Sequence, residues 1–170
     1  MTVRLAALGD APAICSIYNE GIAQRQGTFE TEPREVAQIG AWFDGHPIVV
    51  VEEGGRAIAF ASTSSYRPRA CYAGIAEFSV YVLDGWRGRG AGRLAMEALC
   101  AEAKRAGLWK LVSRIFVENQ PSRALMRSLG FREVGIYRRH GKLDGVWRDV
   151  VVVELLLDDD ARTPIAETPP

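Results

Sequence analysis

The stretch that most restricts how this chain can fold is a strand, a glycine and arginine loop and a helix, read in that order from residue 76 to residue 107. Residues 76–83 are apolar almost throughout, the pattern of a strand buried on both faces, with Glu77 as the exception. Leu94, Ala95, Ala98 and Leu99 then share one face of a helix that should end near Gly107. Between them lies Arg87-Gly88-Arg89-Gly90-Ala91-Gly92. Unpaired amides and the positive end of the helix dipole favour a bound phosphate at such a junction, and glycines let the backbone approach it closely. A plain turn uses the same residues. The spacing is not that of a Walker loop, which needs Lys followed by Ser or Thr. No strand with an acidic end follows at the distance a dinucleotide fold requires.

The flanking segments place this unit in a larger sheet. Residues 3–6 read as a short strand, and Asp10 as the N-cap of a helix carrying Ile14, Ile17, Tyr18 and Ile22. After a loop over 27–32, Pro33 opens a second short helix through Trp42 and Phe43, ended by Gly45-His46-Pro47. Gly54-Gly55 joins strands 48–53 and 56–66 into a hairpin, because paired glycines tolerate positive φ. Residues 109–117 form a strand, 121–129 a helix closed by Gly130, and 131–137 and 146–157 the last strands. The sum is an α/β fold: a mixed, mostly antiparallel central sheet of about seven strands with helices on both faces. Residues 1–157 are expected to form one domain, and 158–170, three aspartates followed by threonines and prolines, a flexible tail.

Composition excludes several partners. The 170 residues carry 21 basic and 21 acidic side chains with no long block of one sign, so there is no broad field for nucleic acid or anionic lipid. No apolar run approaches the roughly 20 residues of a membrane span, and residues 1–10 lack the pattern of a signal peptide, so a cytoplasmic location is expected. Cys15, Cys71 and Cys100 are widely spaced, with no neighbouring His that would suggest a metal site; no metal is expected.

The loop matches the Arg/Gln-x-x-Gly-x-Gly/Ala signature of the GNAT superfamily of N-acetyltransferases. It is preceded by Ser79-Val80-Tyr81-Val82 and followed by Asn119 and the helix entering Leu129-Gly130-Phe131. Gly27-Thr28-Phe29, Tyr66-Arg67-Pro68-Arg69, Glu77 and Trp147-Arg148-Asp149 further resemble the branch that acetylates phosphinothricin, methionine sulfoximine and arsinothricin. The resemblance runs from Val3 to Leu157. It implies acetyl-CoA as cosubstrate and a splayed strand pair, with Ser79, Val80, Tyr81 and Val82 facing residues 115–117 across the pantetheine and Asn119 and Ser122 beside it. The pyrophosphate would lie on the amides of Arg87, Gly88, Arg89, Gly90, Ala91 and Gly92, with Arg87 and Arg89 adding charge at the rim.

Acetyl transfer needs a neutral amine, so a base must take a proton. A carboxylate inside an apolar strand is costly unless paired or protonated, and its desolvation would tune it toward that task, while an ion pair is the structural alternative. The superfamily's catalytic carboxylate falls on Glu77. A backbone N–H near Tyr81 or Val82 would meet the charge that develops on the thioester oxygen. Many relatives carry Tyr or His as proton donor where this chain has Met126; Asp144 and His140 stand near another suggested position. Arg67 and Arg69 flank a rigid proline, and guanidinium forks suit carboxylate, phosphinate or arsonate oxygens. By resemblance Thr28 and Phe29 form a lid. The expected reaction is acetylation of the α-amino group of a small, anionic, glutamate-like amino acid, by a homodimer, as a means of resistance. The rival expectations are acetylation of a protein N-terminus or lysine, which needs an open peptide groove, and a non-catalytic acetyl-CoA sensor, against which Glu77 argues.

Overall fold

The computed structural model describes residues 1–157; the expected tail lies outside the described residues. Seven strands form one sheet in the order β1-β2-β3-β4-β5-β7-β6. They are β1 (Thr2–Leu5), β2 (Ile48–Glu53), β3 (Arg56–Ser65), β4 (Ile75–Val82), β5 (Lys110–Phe116), β6 (Arg132–Leu143) and β7 (Val146–Leu156). Every neighbouring pair is antiparallel except β4 and β5. Helices α1 (Ala11–Ala23) and α2 (Val36–Gly40) pack on one face, and α3 (Ala91–Arg105) with α4 (Gln120–Ser128) on the other.

Strand alternation divides the core between these faces. Val50 and Phe60 meet Ile14, Ile17 and Ile22 of α1, while Val49, Val51, Ala59 and Ala61 meet Ala95, Met96 and Leu99 of α3. Fully buried side chains such as Ile14, Phe60 and Leu99 each contribute about 1.5–3 kcal/mol of transfer free energy.

Three local expectations change. Asp10 does precede α1, but its carboxylate accepts from the Ala7 N–H (2.8 Å) and from Arg4 (2.8 Å) and does not cap the helix. α2 starts at Val36, later than Pro33: Asn19 pins the Arg34 backbone, accepting from its N–H (2.8 Å) and donating to its carbonyl (2.9 Å), and Glu35 is still extended. β6 continues to Leu143, well past Tyr137, and turns through Asp144 (φ 47°) and Gly145 (φ 80°). Its second half was obscured because an exposed edge strand carries no apolar alternation, and a bulge between Tyr137 and Gly141 breaks its register.

Candidate active site

The parallel ladder between β4 and β5 ends at Glu77↔Val112, after three residue pairs. Beyond it the strands part, and a cleft of 480 Å³ opens between them. The Leu83 N–H donates to the Ile58 carbonyl at 2.9 Å, so the alternating ladder commits Leu83, Tyr81 and Ser79 to β3 and turns the main chain of Val80 and Val82 into the cleft. On β5, the Val117 N–H donates to the Asp149 carbonyl (3.2 Å), which by the same alternation turns Arg114 and Phe116 inward. The expected main-chain role therefore falls to Val80 and Val82. Ser79 and Tyr81 line the cleft with their main chain already bonded to β3.

One end of the cleft is the glycine loop. Gly88 and Gly90 take φ of +71° and +90°, and Gly90 precedes α3 with no side chain capping the helix. The first helical bond runs from the Leu94 N–H to the Gly90 carbonyl (3.0 Å), which leaves the amides of Ala91, Gly92 and Arg93 without intrahelical partners. Arg87, Gly88, Gly90 and Gly92 line the cleft. Arg89 and Ala91 do not; the Arg89 guanidinium lies over the Trp86 ring, 5.3 Å from its centroid. Arg87 Nε donates to the freed Val82 carbonyl at 3.2 Å.

Asn119 and Ser122 line the opposite wall. The Asn119 side chain caps α4 by accepting from the Ser122 N–H (3.2 Å) and reaches over to donate to the Gln26 carbonyl (3.0 Å). It thus ties the loop after α1 across the cleft. An extended chain with amide groups and a terminal diphosphate matches this shape: free main-chain groups on both splayed strands lead to an uncapped helix end.

The other end opens into a compartment of 360 Å³ lined by Tyr18, Thr28, Phe29, Glu30, Glu77, Arg114 and His140, among others. Glu77 is only partly buried, where its apolar strand suggested full burial. Its side chain is 30% exposed on the compartment wall, and Oε2 accepts from Arg114 Nη2 at 2.5 Å. Phe29 stands edge-on to Phe116, with centroids 4.9 Å apart, and is seated against Gly141, where a Cβ would come within 2.8 Å of the ring. Tyr81 is enclosed by Phe60 (5.4 Å, stacked) and Tyr18 (4.9 Å, edge-on). Burial, reinforced by Tyr18, pushes the Tyr81 phenol far above its ordinary range.

Arg67 and Arg69 do not line either space. Both are exposed on the segment after β3, where Arg67 lies over the Tyr66 ring at 5.1 Å, and Cys71 on the same segment is exposed too. Met126 is buried in the core behind the cleft and has no proton to give. Asp144 sits in the β6–β7 turn, paired with Arg25 at 3.0 Å, whereas His140 is brought to the compartment by the β6 bulge. Arg114 was not among the residues expected at the site. Its strand, with Lys110 and Ser113 beside it, carries no pattern that singles Arg114 out.

Comparison with known proteins agrees with this geometry. L-methionine sulfoximine/L-methionine sulfone acetyltransferase of Pseudomonas aeruginosa is 34% identical over 169 residues, covering 96% of this chain and 98% of that protein. Among solved structures, a GNAT superfamily phosphinothricin acetyltransferase from Sinorhizobium meliloti in complex with acetyl-CoA superposes with a TM-score of 0.87 at 29% identity, over 99% of this chain and 95% of that one. A ribosomal-protein-alanine N-acetyltransferase from Brucella melitensis also gives 0.87, at 30% identity, over 92% of this chain and 99% of that one. The acetyltransferase (GNAT) family model matches residues 14–131, and on that match over most of the fold the chain belongs to the GNAT family of acetyltransferases.

Proposed function

We propose that this enzyme acetylates the α-amino group of a glutamate-like amino acid of the phosphinothricin, methionine sulfoximine or arsinothricin type. The observation that carries the reading is a cofactor-shaped cleft running directly into a small compartment walled by two carboxylates, of which Glu30 is paired with Arg34 and Glu77 stands where the splayed strands part. The likeness to the methionine sulfoximine enzyme supports the same acceptor class.

Acetyl-CoA supplies an activated acyl group. The chain's own residues do the rest. The first-turn amides of α3 hold the diphosphate, the Val80 and Val82 main chain fixes the pantetheine, and the Val82 N–H faces the side where charge grows on the thioester oxygen. Glu77 takes one proton from the acceptor ammonium. As the N–C bond forms and the C–S bond breaks, a second proton leaves with the thiol and the third stays on the new amide. Phe29 covers the compartment. A cytoplasmic homodimer fits this reading: the three cysteines are free, and β6 and β7 expose Val134, Ile136, Val146 and Trp147.

The second reading, acetylation of a protein N-terminus, is favoured by the Brucella structure. The small volume of the compartment, 360 Å³ with Phe29 on its wall, opposes it. Thiol release should be followed with the three analogues, ordinary amino acids and an alanine-initiated peptide. Turnover of at least one analogue above the peptide is expected. If the peptide is the better acceptor, the small-molecule reading is wrong. Glu77→Gln should lower kcat by about 10²–10⁴-fold.

A further inference from the structure

We propose that Arg114 anchors the acceptor's α-carboxylate and that the Glu77–Arg114 ion pair is a stand-in for the acceptor's own head group. The inference rests on the acetyltransferase reading above and names the group that selects an amino acid over a plain amine.

β4 and β5 are parallel only as far as Glu77↔Val112, so Arg114, two residues further on, lies on the same face as Glu77 and just beyond the point of divergence. Its Nη2 reaches Glu77 Oε2 at 2.5 Å across the opening, and the two side chains are 39% and 30% exposed toward the compartment. Tyr18, Tyr81, Glu30 and His140 are the other titratable groups on its wall. Glu30 is committed to Arg34 at 2.7 Å. Among the described residues lining the compartment, Arg114 is the one permanent cation. Arg67 and Arg69, the expected anion clamp, are absent from that lining.

An α-amino acid carries its ammonium and carboxylate on one carbon. Adjacent, oppositely charged hosts are what that head group matches: the ammonium against Glu77 and the carboxylate against the Arg114 fork. Binding would exchange one internal ion pair for two intermolecular ones, so neither Glu77 nor Arg114 is left without a partner. The same exchange draws Arg114 off Glu77 as the amine arrives. An acceptor without a carboxylate leaves the guanidinium where it is, and the base stays occupied.

The test compares L-methionine sulfone with its methyl ester in wild type, Arg114→Gln and Arg114→Lys. Wild type should prefer the acid by roughly 10- to 100-fold in kcat/KM, the size of a charge-assisted anchor. In Arg114→Gln that preference should collapse, mainly through KM for the acid, and Arg114→Lys should restore part of it. Calorimetry supplies a reading independent of turnover: with CoA present, the acid should bind wild type at least about tenfold more tightly than Arg114→Gln. Thermal melting shows whether each variant is folded; if Arg114→Gln is not, the acid-to-ester ratio in wild type and Arg114→Lys decides. Equal use of acid and ester by wild type, or an acid preference that survives in Arg114→Gln, overturns the anchor while leaving the acetyltransferase reading intact. If wild type acetylates peptides and no amino acid, the substrate reading falls and takes this inference with it.

Discussion

The glycine loop permits a test in which strain cannot hide. Gly90 has φ of +90° and Gly88 +71°, and a Cβ added at either would have nothing within 4 Å. Packing therefore plays no part in Gly90→Ala, and what remains is the cost of a side chain in a left-handed conformation, about 1–2 kcal/mol. That cost has two outlets. If the loop holds its shape, unfolding in urea without ligand should show the loss, or melting should fall by about 2–8 °C. If the loop relaxes, stability is kept, but the amides of α3 no longer converge and acetyl-CoA affinity should fall roughly tenfold for each 1.4 kcal/mol released. The two losses, measured by denaturation and by calorimetry, should together reach about 1–2 kcal/mol. Gly92→Ala is the control. Gly92 is helical, its added Cβ would lie 3.2 Å from Leu125 and 3.5 Å from Val82, and helix propensity offsets that crowding. A Gly90→Ala protein unchanged in both stability and affinity would refute the claim that left-handed backbone shapes this anion site.

Asn119 allows its two bonds to be separated. Asn119→Ala should cost about 1 kcal/mol for the lost cap, whereas Asn119→Asp keeps the acceptor for the Ser122 N–H and loses only the donor to Gln26. Calorimetry should then show acetyl-CoA binding weakened in both variants, and urea unfolding should show destabilisation chiefly in the first. Acid should destabilise the fold in a definite direction. Hydrogen bonds from Arg123, with Arg127 adding to them, hold the Glu133 carboxyl below its usual range, and Arg4 does the same for Asp10. Because both folded values are depressed, their contribution is complete above the unfolded carboxylate values near 4 and is lost as pH falls through the folded ones. Urea midpoints between pH 7 and pH 3 should fall mainly at the acid end, less steeply in Glu133→Gln; a flat profile would show that these pairs add nothing.

Much of this protein follows from short-range rules. The strand, glycine loop and helix between Ala76 and Arg105, the Gly54-Gly55 hairpin and the helix after Asn119 depend on periodicity, caps and backbone freedom within a few residues of one another, and those are properties a linear chain displays. Glu77 was legible for the same reason, as one carboxylate among apolar neighbours. Its partner was not. Strand parity shows only that Arg114 and Phe116 share a face; that this face meets Glu77 depends on β4 and β5 becoming neighbours, and on the register at which their ladder stops. The same limit hid that Arg67 and Arg69 are not in the compartment's lining and that His140, beside a bulge on an edge strand, is. Local sequence specified which groups the chain carries and the elements that hold them. Pairing between segments distant along the chain decided which charges face one another, because that choice is made by burial of the whole sheet and leaves no periodic mark on any single strand.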